Sequence, residues 1–96
     1  MAAYVISEVE PRDAALMERY RALAADSIAR HGGRYIVRGG AAELVEGGPP
    51  VKTFVIVEFP DMATARAWYG SADYADALAI RRAGALERRL VFVEGC

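Results

Sequence analysis

Two side chains are the candidates for moving a proton in a reaction, His31 and Glu58. An imidazole titrates near neutral pH, and Glu58 follows the apolar run TFVIV. Both are therefore candidate general acids or bases. For His31 a structural role competes, since an imidazolium that closes a helix is favoured by the helix dipole. No nucleophile elbow or orienting carboxylate accompanies it, so for His31 the structural role is preferred.

Arg38 ends a short apolar strand, RYIVR, and is predicted to lie near Glu58. Counting back from a turn at Glu46–Pro50 places Arg38 opposite Val57 or Glu58, within one residue for a bulge at Gly39-Gly40. Charges among apolar side chains are costly unless they meet, so one interpretation is an ion pair that fixes the register. The other is an anchor for an anionic or carbonyl-bearing ligand. Both interpretations stay open.

The stretch AWYGSADY supplies three aromatic ligand-binding candidates, Trp68, Tyr69 and Tyr74. Tyr and Trp favour positions where the ring is buried and the polar atom finds a partner, as at the mouth of a pocket. Packing of a helix on a sheet is the alternative. Arg81 shares one helical stripe with Tyr74 and Leu78, and such a cation either reaches solvent or enters a cavity. Arg81 is therefore a further ligand-binding candidate.

Composition excludes several classes of function. The 96 residues form one domain, 1–96, with a net charge of −1 and no basic run, which argues against nucleic acid or a membrane as partner. No signal sequence or bilayer-length apolar run is present, so we expect a cytoplasmic protein. The single cysteine, Cys96, forms no metal-ligand cluster. We expect neither a metal nor a tightly held cofactor.

The elements that must position these residues follow the order βαββαβ. Runs rich in β-branched and aromatic residues predict four strands, Ala3–Val9, Arg34–Arg38, Thr53–Phe59 and Arg89–Glu94. Helical periodicity from Leu16 to Ile28 predicts the first helix. Candidate caps and stops are Asp13 and Gly32-Gly33 for the first helix, and Asp61, Gly70 and Ser71 for the second. This order predicts an α+β, ferredoxin-like fold with a four-stranded antiparallel sheet and both helices on one face.

Both faces of that sheet are predicted to be apolar. In the third strand Phe54 and Ile56 alternate with Val55 and Val57, and the fourth strand repeats the pattern. Two helices cover only one face. We expect the second face to pack on the same face of another copy, which gives a homodimer with an isologous interface.

Several motifs together resemble the bacterial family called domain of unknown function 1330: GGRYIVRGG, EG at 46–47, VIVEFPDMATARAWYGSADY, the later Arg81 and the terminal VFVEG. The resemblance implies a ferredoxin-like, dimeric α+β barrel. It implies importance for Tyr4, Gly33, Arg38, Gly39, Gly40, Glu58, Trp68, Tyr69, Ser71, Tyr74 and Arg81. Ser71 is thereby a further ligand-binding candidate. Pro11-Arg12-Asp13-Ala14 departs from the family's usual Asp-Pro helix start. Related barrels include cofactor-free monooxygenases, isomerases and haem-handling enzymes, although fold does not fix function.

Two hypotheses follow. The first is an enzyme without a tightly held cofactor that oxygenates or isomerises a small anionic or carbonyl compound. Its cleft would be lined by Trp68, Tyr69 and Tyr74, with Arg38 or Arg81 holding an anionic group and His31 or Glu58 moving a proton. The second is a non-catalytic, ligand-binding or structural homodimer that uses the same polar residues at its interface.

Overall fold

The chain builds one antiparallel sheet with its helices on a single side. The computed structural model describes all residues, Met1–Cys96. The strands are β1 (Ala3–Pro11), β2 (Arg34–Arg38), β3 (Thr53–Phe59) and β4 (Leu86–Glu94), and the helices are α1 (Ala14–Arg30), α2 (Met62–Tyr69) and α3 (Ala72–Ile80). A π-helical turn, Arg81–Ala85, joins α3 to β4. The sheet order is β2-β3-β1-β4, which confirms the predicted ferredoxin-like α+β fold.

The helix starts are set by short polar side chains, as predicted. Asp13 accepts a hydrogen bond from the backbone of Leu16 at 2.9 Å, and Asp61 accepts one from Thr64 at 2.7 Å. Ser71 caps α3 after Gly70 has ended α2. These caps satisfy amide groups that have no partner within the helix. The predicted second helix is therefore two helices separated at Gly70. No helix combines the length and the apolar character needed to cross a bilayer.

Gly33 lies between the end of α1 and the start of β2, and a residue with a larger side chain does not fit there. A Cβ at this position would lie 2.6 Å from Phe59 Cε1 and 2.8 Å from Ile28 Cγ2. We expect Gly33→Ala to lower the free energy of unfolding by about 1–3 kcal/mol, because a packed core must move to accept the methyl group. Urea denaturation measures this loss. Gly40→Ala, with no heavy atom within 4 Å of its Cβ, is the matched control, and equal effects of the two substitutions would contradict the account.

The prediction of two apolar sheet faces is confirmed. The helix side buries core residues such as Val5, Val57 and Phe59. On the other side, here called the outer face, Val91 is 47% exposed and Val93 41%. The outer face also carries Ile6, Phe54 and Ile56. Large apolar side chains therefore remain open to solvent on a face that the helices leave uncovered.

The register between β2 and β3 differs from the predicted one. The bulge falls between Tyr35 and Val37, not at Gly39-Gly40, and Arg38 lies opposite Val55. The connecting segment between β2 and β3 is long, so counting back from a tight turn at 46–50 gave the wrong partner. β4 also begins earlier than predicted, at Leu86, because β1 continues to Pro11 and pairs with it.

Candidate functional site

A cavity lies between α1 and the helix side of the sheet. Its volume is about 180 Å³, and its walls are mostly apolar. Met17 and Ala24 contribute from α1, Val55 and Leu90 from the sheet, and Trp68 from α2. Alternation along the strands sends every second side chain to this side, so the sheet supplies a continuous floor. A chamber with this lining suits the apolar part of a small molecule.

One end of the cavity is polar and is lined by Arg88 and Tyr20, with Tyr74 buried behind them. The Arg88 guanidinium donates to the Tyr20 hydroxyl at 2.7 Å and to the Tyr74 hydroxyl at 2.6 Å. The two hydroxyls lie 2.7 Å apart. Tyr20 is 7% exposed and Tyr74 is fully buried. Three elements, α1, α3 and β4, therefore hold a cluster of hydrogen-bond donors in a fixed arrangement.

The cavity has an excess of positive charge. Arg88 belongs to none of the ion pairs in the structure. Arg21 and Arg38 also line the cavity, whereas no Asp or Glu does. A partly buried cation without a counter-ion is costly, and an anionic ligand would remove that cost.

Burial keeps the Tyr20 hydroxyl protonated. It raises the pKa of Tyr20 well above the ordinary value of 10.0, although the Arg88 guanidinium opposes the shift. A neutral phenol keeps its proton as a donor across the physiological range. Tyr20 can therefore donate a hydrogen bond to an oxyanion placed beside Arg88.

The raised pKa of Tyr20 predicts an alkaline loss of stability. In the unfolded chain Tyr20 ionises near pH 10, whereas in the folded protein it keeps its proton. The contribution of Tyr20 to the free energy of unfolding is therefore complete below pH 10 and is lost as the pH rises further. We expect the free energy of unfolding to fall less steeply between about pH 9 and pH 11 in Tyr20→Phe than in the wild type. Urea denaturation across this range measures the slope. Identical slopes in the two proteins would contradict the assigned burial.

The aromatic candidates occupy different places around the cavity. Trp68 lines it, and its Nε1 donates to Ser27 Oγ at 3.0 Å. Tyr74 does not line the cavity, and its hydroxyl bonds to Tyr20 and Arg88 behind the polar end. Tyr69 packs edge-on against Phe92, with ring centroids 6.0 Å apart, and does not line the cavity. The stacked rings hold α2 and α3 on the sheet, so part of this cluster is core.

The charged and polar candidates are more widely scattered. Arg38 lines the cavity, with its guanidinium 4.2 Å from the centre of the Tyr35 ring. Ser71 caps α3. Arg81 begins the π-helical turn, where its Nε is buried without a protein acceptor, and it does not line the cavity. Only Arg38 among these three reaches the cavity.

The two proton-transfer candidates both lie outside the cavity. His31 ends α1, and its Nδ1 donates to the Ser27 carbonyl at 2.9 Å. Its Nε2 lies 3.9 Å from a carboxylate oxygen of Asp73. This is the helix-ending position that the sequence predicts for His31.

Glu58 lies on the outer face, and its partner is Arg34. The predicted pairing with Arg38 is wrong, because the strand register places Arg34 opposite Glu58 and Arg38 opposite Val55. Arg34 Nε donates to Glu58 at 2.7 Å, and the Tyr4 hydroxyl donates to it at 3.0 Å. These hydrogen bonds lower the pKa of Glu58, and the Arg34 bond has the larger effect.

Sequence reasoning missed Arg88, Tyr20 and Ser7. Arg88 lies on the same face of β4 as Leu86 and Leu90. The predicted fourth strand begins at Arg89, and a start two residues earlier would have placed Arg88 on the helix side of the sheet. Tyr20 falls within the apolar periodicity of α1, which gives no separate signal for its hydroxyl. Ser7 lines the floor of the cavity on β1, where polar residues normally face away from the helices.

Solved structures with the same fold come from several bacteria. A protein of unknown function from Rhodopseudomonas palustris is 22% identical with a TM-score of 0.77, covering 99% of this chain and 82% of that one. A dimeric ferredoxin-like protein of unknown function from Thermobifida fusca is 17% identical, with a TM-score of 0.66 and coverage of 99% and 92%. SnoaB, a cofactor-independent oxygenase from Streptomyces nogalater, is 14% identical, with a TM-score of 0.65 and coverage of 99% and 93%. At these identities the likeness establishes the fold.

Sequence comparison identifies the family. No curated protein matches the chain. A family model described as "Domain of unknown function (DUF1330)" matches residues 2–96. Since that match spans almost the whole chain, the protein belongs to the DUF1330 family.

Proposed function

We propose that this protein binds a small, largely apolar organic anion, whose carboxylate or enolate oxygen is held by Arg88 and Tyr20, with Tyr74 supporting both from behind the cavity wall. The observation that carries the proposal is the Arg88 guanidinium, which lines an apolar cavity without any carboxylate partner. Charge-assisted hydrogen bonds from a fixed guanidinium are among the stronger polar contacts that a protein can offer. The neutral Tyr20 hydroxyl adds a second donor at the same point.

The size of the cavity limits the ligand to about one aromatic ring. An apolar protein cavity of about 150 Å³ accepts benzene, and the volume here is about 180 Å³. Trp68 and Tyr35 line the cavity, and their ring faces suit a planar group. Benzoate and phenylacetate are therefore appropriate probes.

We further propose that the protein is a homodimer in which the outer faces of two sheets pack together. The exposed Val91 and Val93 support this arrangement, because an apolar sheet face of this kind is normally covered. The neighbour from Thermobifida fusca is described as dimeric. The cavity lies on the opposite side of the sheet, so each protomer would hold its own ligand.

A second candidate function is a cofactor-independent enzyme that oxygenates or isomerises a small carbonyl compound. Arg88 and Tyr20 would then stabilise the enolate formed in the reaction, as donors of an oxyanion hole do. SnoaB is described as a cofactor-independent oxygenase and shares the fold of this chain. Its support for an enzymatic function comes from that shared fold alone. Neither His31 nor Glu58 lines the cavity, and no other imidazole or carboxylate does. Binding is therefore the better supported function.

Isothermal titration and NMR of the wild-type protein test the binding proposal. Benzoate and phenylacetate should bind with one site per chain and perturb the Trp68 indole resonance. Benzylamine, of similar size but opposite charge, should not bind. Binding that ignores the sign of the charge, or none with either anion, would overturn the proposal.

A separate measurement tests the enzyme candidate. Hydrogen–deuterium exchange at the carbon beside the carbonyl of phenylpyruvate reports enolate formation. Catalysed exchange that is lost in Arg88→Met would support turnover, whereas exchange at the uncatalysed rate with bound ligand would leave binding as the function.

A further inference from the structure

We propose that the ligand carries a second hydrogen-bonding oxygen, a hydroxyl or a carbonyl, which bonds to Ser7 in the floor of the cavity. The ligand class is then a small hydroxy or oxo acid, and not a purely apolar acid. This inference rests on the proposed binding function and specifies the ligand of that same site.

Ser7 is a polar residue enclosed by apolar ones. It is 5% exposed, and its Oγ is buried without a hydrogen-bond partner in the protein. On the sheet its cross-strand partners are Val55 and Leu90, and Val5 and Val9 lie on the same face of β1. All four of these neighbours line the same cavity as Ser7.

An unpaired buried hydroxyl at this position needs an explanation. Buried side-chain oxygens are nearly always hydrogen-bonded, because removing them from water without a partner is unfavourable. An alanine or valine would fill the same place in the apolar floor without that cost. The aliphatic side chains around Ser7 offer no partner, whereas Ser7 itself lines the cavity, so a rotation about χ1 that turns Oγ from its buried position toward the cavity would bring it within reach of a ligand.

The strand register places Ser7 at a suitable distance from Arg88. Val9 pairs with Arg88 and Ser7 pairs with Leu90, so Ser7 and Arg88 are diagonal neighbours across β1 and β4. Such positions lie about 7–8 Å apart. A ligand with its carboxylate on Arg88 and a ring above the sheet can therefore present a ring oxygen to Ser7.

The test compares benzoate with 3-hydroxybenzoate and 4-hydroxybenzoate, titrated into wild type and Ser7→Ala. In the wild type we expect at least one hydroxybenzoate to bind about fivefold or more tightly than benzoate, the usual effect of one added hydrogen bond. Ser7→Ala should remove this preference and leave benzoate affinity within about twofold. Its melting temperature should be unchanged or higher, because an unpaired buried hydroxyl has been removed.

Thr53→Val is the matched control, since Thr53 also brings a hydroxyl to the cavity but lies at its exposed edge. It should keep the wild-type preference. The inference is overturned if Ser7→Ala retains the preference, or if it loses benzoate binding or thermal stability, which would mark Ser7 as structural. Failure of benzoate itself to bind the wild type overturns the proposed function together with this inference, whereas benzoate binding without a Ser7-dependent preference overturns the inference alone.

Discussion

Replacing Arg88 by methionine is expected to weaken the binding of benzoate by about 100-fold. A carboxylate on Arg88 accepts charge-assisted hydrogen bonds, and each of these contributes about 1.5–3 kcal/mol. Losing two of them corresponds to two powers of ten or more in the dissociation constant. Titration calorimetry on wild type and Arg88→Met measures the ratio. The stability of the variant should change little, because Tyr20 and Tyr74 still bond to each other and an unpaired cation has been removed.

Two controls separate charge from geometry at this position. Arg88→Lys keeps the charge without the forked donors, so its affinity should fall between those of wild type and Arg88→Met. Arg82→Met removes an exposed arginine that does not line the cavity, and it should bind benzoate as the wild type does. Equal affinities in wild type and Arg88→Met would contradict the assignment of the anion site.

Placing a charge on the outer face is expected to separate the proposed dimer. In a single chain Val91 is exposed, so Val91→Glu should fold with nearly unchanged stability. In a dimer of packed sheets the same substitution buries an unpaired carboxylate in each protomer, which costs several kcal/mol. We expect the dimer dissociation constant to rise at least about 100-fold. Light scattering coupled to size exclusion at micromolar concentration measures the change.

Val45→Glu is the matched control for this second prediction. Val45 is 86% exposed in the segment between β2 and β3, outside the sheet, and the same change of residue there should leave the dimer intact. A wild-type protein that is monomeric at micromolar concentration would contradict the proposed interface. So would a Val91→Glu variant that associates as strongly as the wild type.

Most of the fold could be predicted because its signals are local. Asp13, Asp61 and Ser71 mark helix starts by the hydrogen bonds that their own side chains make within one turn. Apolar residues at consecutive positions of β3 reveal two apolar faces of the sheet without knowledge of the partners. The register of β2 was not predictable in this way, because the bulge at Ile36 depends on how two distant strands pair.

The site was harder to predict because it is assembled across long separations in the chain. Arg88 and Tyr20 meet through the packing of α1 on β4, and neither has a neighbouring residue that signals the contact. Trp68 and Arg38 are candidates from the sequence that do line the cavity, Trp68 because its ring carries a polar atom and Arg38 because a charge beside an apolar strand needs a partner. His31 and Glu58 have suitable chemistry, but the topology places one at a helix end and the other on the outer face.

The most direct test of the anion site is a crystal structure of the protein with 4-bromobenzoate, with the bromine located by anomalous scattering. The account predicts a bromine peak inside the cavity between α1 and the sheet, with the carboxylate within hydrogen-bonding distance of the Arg88 guanidinium. Bromine found only at the molecular surface or on the outer face, with the cavity empty of ligand, would contradict it.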